Sequence, residues 1–250
     1  MVQHVRTEFM QTPVVTRVYC TTCVLTTLAV QLQVVTPIQL LYHPDLVLHG
    51  EVWRLLTCFL FYGYLGFGFL FNMIFLYRFC RKLEETSFSG RTADFVVLFL
   101  FGSTLTLLVA STNYFRMLFL GEALTTMIVY IGCRRNPFVV YNFFGLFRFQ
   151  APYLPWILVL FSVLFGGSVA VDLVGIAIGH MYYFLEDVFP NKPGGFKIIR
   201  TPAFMKWIFD GTQADHGEPL EPEDRPGGYD WGEGVAPGGR DGPPANDNQQ

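Results

Sequence analysis

Two ionisable side chains interrupt an otherwise apolar stretch, VDLVGIAIGHMYYFLED, at Asp172 and His180. An acid inside a membrane-length apolar run is costly, so it must face protein or water and marks a functional position. Glu122, in RMLFLGEALTTM, and Asn72, in FLFNMIF, interrupt two further apolar runs in the same way. The hydroxyls closest to Glu122 are Thr125 and Thr126. Hydrolysis by a hydroxyl nucleophile would need an imidazole within hydrogen-bond reach and donors for the oxyanion. His180 lies eight residues beyond Asp172, about 12 Å further along a helix. Metal ligation has no recognisable spacing among these residues. Cys20 and Cys23 spell C-x-x-C without a second pair or a thioredoxin-like βαβ pattern, so they read as small helix residues. Neither a metal nor another cofactor is expected.

These residues must be carried by membrane helices. The 250 residues are 52% hydrophobic, 17% aromatic and only 15% charged, too little charge to dress a soluble surface. The class is an all-α polytopic membrane protein. A span needs about 20 apolar residues, and six segments qualify: about 18–36, 55–77, 95–112, 115–133, and two short spans sharing the run from Phe149 to Leu185. That last run breaks at Gly166–Ser168, and Pro152 and Pro155 mark its start. The five cysteines lie in or beside apolar segments and form no disulfide framework. No cleavable signal peptide and no N-x-[ST] sequon is expected to act on the chain.

Loop charges orient the bundle. With a cytosolic N-terminus, nine arginines and lysines (Arg6, Arg17, Arg78, Arg81, Lys82, Arg91, Arg134, Arg135, Arg148) face inward, against Arg54 and Arg116 outside. Both termini are then cytosolic. Residues 1–17 form the N-terminal segment, 18–190 the membrane domain and 191–250 the tail. From about residue 210 the tail is rich in Gly, Pro and acids, and it is expected to be disordered. Nothing in the net charge of −3 calls for a nucleic-acid partner.

In this orientation the helices carrying Glu122 and Asp172 both begin on the outer side, which puts the two acids at similar depth. A hydrated cavity lined by Asn72, Glu122 and Asp172 is expected there. Gly175 and Gly179 form a G-x-x-x-G pair that lets another helix backbone approach closely. Trp53 and Arg54, before the second span, read as an interfacial anchor, tryptophan at headgroup level and arginine reaching phosphate. The preceding loop, PIQLLYHPDLVLHG, is apolar enough to lie in the interface.

The W-R pair and the G-x-x-x-G of the last span resemble the rhomboid fold. Longer blocks are more specific: TPVVTRVY, LVLHGEVWRLLTCFLFYG, LEETSFSGRTADF, RRNPFVVYNFFGLFRFQAPYLPWILV and GHMYYFLEDVFP. Together they resemble the derlins, rhomboid pseudoproteases of the endoplasmic reticulum, over about residues 8 to 210. The resemblance implies a six-helix rhomboid-like bundle with a disordered cytosolic C-terminal tail. It also implies no protease: residues 113–135 contain no serine, and Asp172 occupies the place of the rhomboid histidine, three residues before the first glycine.

By the same resemblance, the chain takes part in endoplasmic-reticulum-associated degradation. There it helps misfolded client polypeptides cross to the cytosol for ubiquitination and proteasomal degradation. The implied partners are a membrane RING ubiquitin ligase complex, the valosin-containing AAA ATPase, membrane lipid, and further derlin copies in a homo- or hetero-oligomer. The ATPase-docking motif of the family, an aromatic with G-x-G and then R-L-G, is matched in its first half by Trp231, Gly232, Glu233 and Gly234. Its second half departs, with Ala236 and Pro237 where Arg-Leu would stand. A scaffold joining ligase to ATPase without touching clients is the alternative reading.

Overall fold

The structure is a computed structural model and describes residues 11–112, 117–143, 147–192, 196, 198–199 and 201–209. Residues 1–10, Arg116, Lys197, Arg200 and the tail from residue 210, with Trp231, Gly232, Glu233 and Gly234, lie outside the described residues.

The chain is predominantly helical. Its helices are α1 (Val14–Gln31), the short α2 (Pro37–Leu40), α3 (Pro44–Leu48) and α4 (Arg54–Thr57), then α5 (Phe67–Lys82), α6 (Thr92–Ser111) and α7 (Gly121–Arg135). A hairpin of β1 (Val140–Phe143) and β2 (Phe147–Gln150) follows, then α8 (Leu154–Leu164), α9 (Val169–Tyr183) and α10 (Ala203–Phe209). Three helical stretches, Val14–Gln31, Thr92–Ser111 and Val169–Val188, are long and apolar enough to cross a membrane.

α7 is the axis of the fold. Gly121 and every residue from Ala123 to Cys133 are buried, the pattern of a helix surrounded by others. Gly175 and Gly179 bring α9 against it backbone to backbone: a Cβ on Gly175 would lie 2.4 Å from the Ala123 carbonyl oxygen, and one on Gly179 3.1 Å from that of Met127. Residues four apart on one helix thus face residues four apart on the other, so α7 and α9 run parallel and in register. Arg135 and Asp187 close the far end through two hydrogen bonds of 3.0 and 3.1 Å.

α1 is held differently. Its buried residues, Thr16, Cys23, Thr27 and Val30, form one narrow stripe, and no local side chain caps its N-terminus. That role falls to Glu84, a buried carboxylate 68 residues away, which accepts from Val15 N (3.1 Å), Thr16 N (2.9 Å) and Thr16 Oγ1 (2.7 Å). Helix N-termini need such acceptors and favour negative charge. Replacing Glu84 by alanine is expected to cost about 2 kcal/mol. Amide hydrogen exchange over the first turns of α1 should rise roughly tenfold or more, and unchanged exchange would show that the stripe alone holds the helix.

Three expectations need correction. The apolar run 55–77 is not one helix: α4 ends at Thr57 and α5 begins at Phe67. Between them Gly63 adopts φ +93°, and Cys58 to Tyr62 are buried inside the bundle, so their apolarity serves the core. The all-α reading missed the antiparallel hairpin, in which Val140 pairs with Gln150. Its strands, VYNF and FRFQ, are rich in aromatic residues of high strand propensity. Arg54 does not reach out to phosphate. It is buried, and its Nη1 donates to the carbonyls of Ile38 (2.6 Å) and Leu41 (3.0 Å) while Nε pairs with Glu51. It thereby pins α2 and α4 together. Trp53 alone of the pair is exposed.

The break between the last two long helices falls where glycine was expected to put it. α8 ends at Leu164, Gly166 takes φ +79°, and α9 starts at Val169. After α9, and before residue 210 where disorder was expected to begin, α10 forms and Thr201 donates to Asp94 at the start of α6.

Candidate functional site

A cavity of about 470 Å³ lies between the starts of α7 and α9, the N-terminal half of α5 and the end of α8. Each wall follows from local sequence. Gly63, Gly66 and Gly68 keep the entry to α5 free of side chains, and Gly166 and Gly167 do the same where α8 turns into α9. Phe67 and Phe71 on α5 meet Phe165 beyond α8 at ring-centroid distances of 5.5 and 5.4 Å, and Phe71 meets Phe161 at 4.6 Å. This aromatic seam closes one side.

The three cavity residues expected from sequence, Asn72, Glu122 and Asp172, all line this space. Asn72 Nδ2 donates to Glu122 Oε1 at 3.3 Å. Thr126 Oγ1 donates to Asp172 Oδ1 at 2.9 Å. Asp172 is 3% exposed. The Ser162 hydroxyl lies beside the Asp172 carboxylate as a second donor. Glu122 and Asp172 are themselves close enough for their charges to interact. No lysine, arginine or histidine is among the described residues that line the cavity.

His180 lies elsewhere. Its Nδ1 shares a 2.7 Å hydrogen bond with the Tyr130 hydroxyl, which also accepts from Arg134 Nε at 3.0 Å. Thr125 is tied to the Tyr62 hydroxyl (2.9 Å) and to the Gly121 carbonyl (3.2 Å). Neither α7 threonine therefore meets an imidazole. Among the described residues no group of three or more His, Cys, Asp or Glu is placed to hold a metal ion. Cys20 and Cys23 are free thiols on α1.

Sequence reasoning missed Tyr62 and Ser162. Tyr62 joins Tyr19 (3.2 Å), Thr125 and the Gly121 carbonyl (3.0 Å) and so fixes the cavity wall to α1 and α7. The glycine that follows it, Gly63, was the available signal. Ser162 carries none, since one serine in an apolar helix is ordinary.

A parallel helix pair packed through glycines, a polar cavity among apolar helices and three membrane-length spans define a multi-pass membrane protein. The Der1-like family matches residues 12–203. Derlin-2.1 of Zea mays is 46% identical over 219 residues, covering 84% of this chain and 88% of that protein. Derlin-2.2 of Arabidopsis thaliana is 42% identical, covering 84% and 89%. The probable derlin-2 homolog of Dictyostelium discoideum is 41% identical over 207 residues, covering 80% and 81%. The chain belongs to the Der1-like, or derlin, family.

Proposed function

We propose that this chain is a non-catalytic membrane component of endoplasmic-reticulum-associated degradation that helps move misfolded polypeptides to the cytosol for ubiquitin-dependent proteasomal degradation. In this reading it is a six-span rhomboid-like bundle in the endoplasmic-reticulum membrane with both termini cytosolic. Residues 1–17 and 191–250 flank a membrane domain of residues 18–190. Family membership supports the pathway. The observation that carries the mechanism is the cavity itself, a space of about 470 Å³ holding Asn72, Glu122 and Asp172 among apolar helices. A polar pocket at membrane depth lowers the cost of admitting polar polypeptide. α8 adds to this: its 11 residues span only about 16 Å, and a short apolar helix favours a thinned bilayer around it.

The non-catalytic reading draws on the bonding of Thr125 and Thr126 and on the distance of His180 from the cavity. Arg54, Gly175 and Gly179 hold the fold, Trp53 stays exposed as an interfacial anchor, and none of the four does chemistry. The tail residues Trp231 to Gly234 are the proposed contact for the valosin-containing AAA ATPase, with a membrane RING ubiquitin ligase complex and further derlin copies as membrane partners. The rival reading, a scaffold that never touches clients, is favoured by one observation: Asn72–Glu122 and Thr126–Asp172 are internal hydrogen bonds, as a purely structural network would make.

Cells lacking the protein, rescued with wild type or with Glu122→Leu plus Asp172→Leu, separate the two. Loss of degradation of a misfolded lumenal reporter, with partners still co-purifying, is the expected result. Full rescue at equal expression would leave only the scaffold.

A further inference from the structure

We propose that Arg78 and Lys82, in the last two turns of α5, form a binding site for the headgroup of an anionic phospholipid. The proposal goes beyond the degradation reading and does not rest on it.

The site is built around one fixed ring. Tyr141 of β1 is 6% exposed and packs on Phe79 at a ring-centroid distance of 5.2 Å. The guanidinium carbon of Arg78 lies 5.7 Å from the centre of the Tyr141 ring, and Lys82 Nζ lies 5.0 Å from it. Lys82 also donates to the Tyr141 hydroxyl at 3.0 Å. Two cations are thus held about one turn apart, close enough for their charges to interact. Like charges at this spacing destabilise a helix. Elsewhere at this end the charges are matched: Arg81 pairs with Glu85, Arg91 with Asp94 and Arg135 with Asp187. Arg78 and Lys82 pair with no carboxylate among the described residues, and Arg78, which is exposed, donates no hydrogen bond there. A phosphate bridging the two would remove their repulsion and take the planar fork that a guanidinium presents.

The surface next to the cations shows that this phosphate carries acyl chains. Residues four apart on a helix form one ridge, and on α5 that ridge reads Leu70, Ile74, Arg78, Lys82. Leu70 is 55% exposed and Ile74 53% exposed, and in a multi-pass membrane protein such bare apolar surface belongs to lipid. The ridge is apolar for its first half and cationic for its second, over roughly 18 Å. Lys82 is the last residue of α5, and Glu84 just beyond it caps the start of α1, so the cations stand at an end of the bundle, where headgroups lie. An acyl chain along Leu70 and Ile74 places its phosphate between Arg78 and Lys82. Two unmatched positive charges favour a headgroup of net negative charge over a zwitterionic one.

Native mass spectrometry of the full-length chain in detergent micelles, with phosphatidylglycerol or phosphatidylcholine added, tests this. Phosphatidylglycerol is expected to bind at least roughly fivefold more tightly than phosphatidylcholine. Arg78→Gln plus Lys82→Gln should bring that ratio to about one. Arg81→Gln plus Arg91→Gln, which removes the same charge from the same end, should preserve it. Should the first pair prevent folding, Arg78→Gln alone, at an exposed position, is expected to lower the ratio at least about twofold. Equal binding of the two lipids by wild type overturns the proposal, as does an unchanged ratio in Arg78→Gln. An equal loss in the Arg81 and Arg91 pair also overturns it, because net charge and not the site would then be responsible. Complete displacement of the lipid by excess inorganic phosphate would make the anion alone the ligand and refute the phospholipid assignment.

Discussion

Gly175→Val is expected to lower the stability of the folded bundle by about 3 kcal/mol or more, the upper part of the usual range for overpacking. Even the first added carbon would sit 2.4 Å from the Ala123 carbonyl oxygen and 3.1 Å from the Ala123 Cα. These are main-chain atoms of the central helix and cannot swing aside as a side-chain tip can. α9 would have to move off α7, and the cavity would lose the shared register that sets Glu122 and Asp172 at one level. Thermal unfolding in detergent, followed by size-exclusion chromatography, should show a large fall in the midpoint and in monodisperse yield. Gly179→Ala should do less, since its added carbon meets Met127 and Tyr130 no closer than 3.1 Å. Equal damage from the two substitutions would mean that the motif acts as a unit and that local spacing is unimportant.

Arg54→Met should be nearly as severe, at about 3 kcal/mol. Methionine fills similar volume but leaves the carbonyls of Ile38 and Leu41 and the Glu51 carboxylate without their donor. Lysine cannot reproduce the planar fork that reaches these groups together, so Arg54→Lys should recover only part of the loss. Limited proteolysis across residues 32–66 is the direct measurement, with cleavage appearing in the variant at protease levels that spare wild type. If Arg54→Lys were indistinguishable from wild type, any cation would suffice and the carbonyl clasp would carry little energy.

How far the sequence could be read depended on whether the relevant physics was local. The α8–α9 break was legible because diglycine within an apolar run has few other uses. The shared level of Glu122 and Asp172 was legible too, because each stands near the start of its own apolar segment. The second span was misplaced because buried core and lipid-facing surface look alike in hydropathy, and Cys58–Tyr62 belong to the former. Arg54 was misread for a related reason: an arginine beside a tryptophan has the same spelling whether it faces phosphate or three acceptors inside a loop. The cap on α1 was beyond sequence altogether, since nothing in LEETS announces that Glu84 is meant for a helix 68 residues earlier.

That separation sets an order of events during synthesis. One of the four buried residues of α1, Val30, meets Leu40 and Phe61 from the stretch before α5, but the helix leaves the ribosome before Glu84 exists. Until then its leading amides stand uncapped at the membrane surface. α1 is thus made before the carboxylate that caps it, and a nascent chain stalled before residue 84 carries a helix terminus still open to insertion factors, to proteases or to the wrong neighbour.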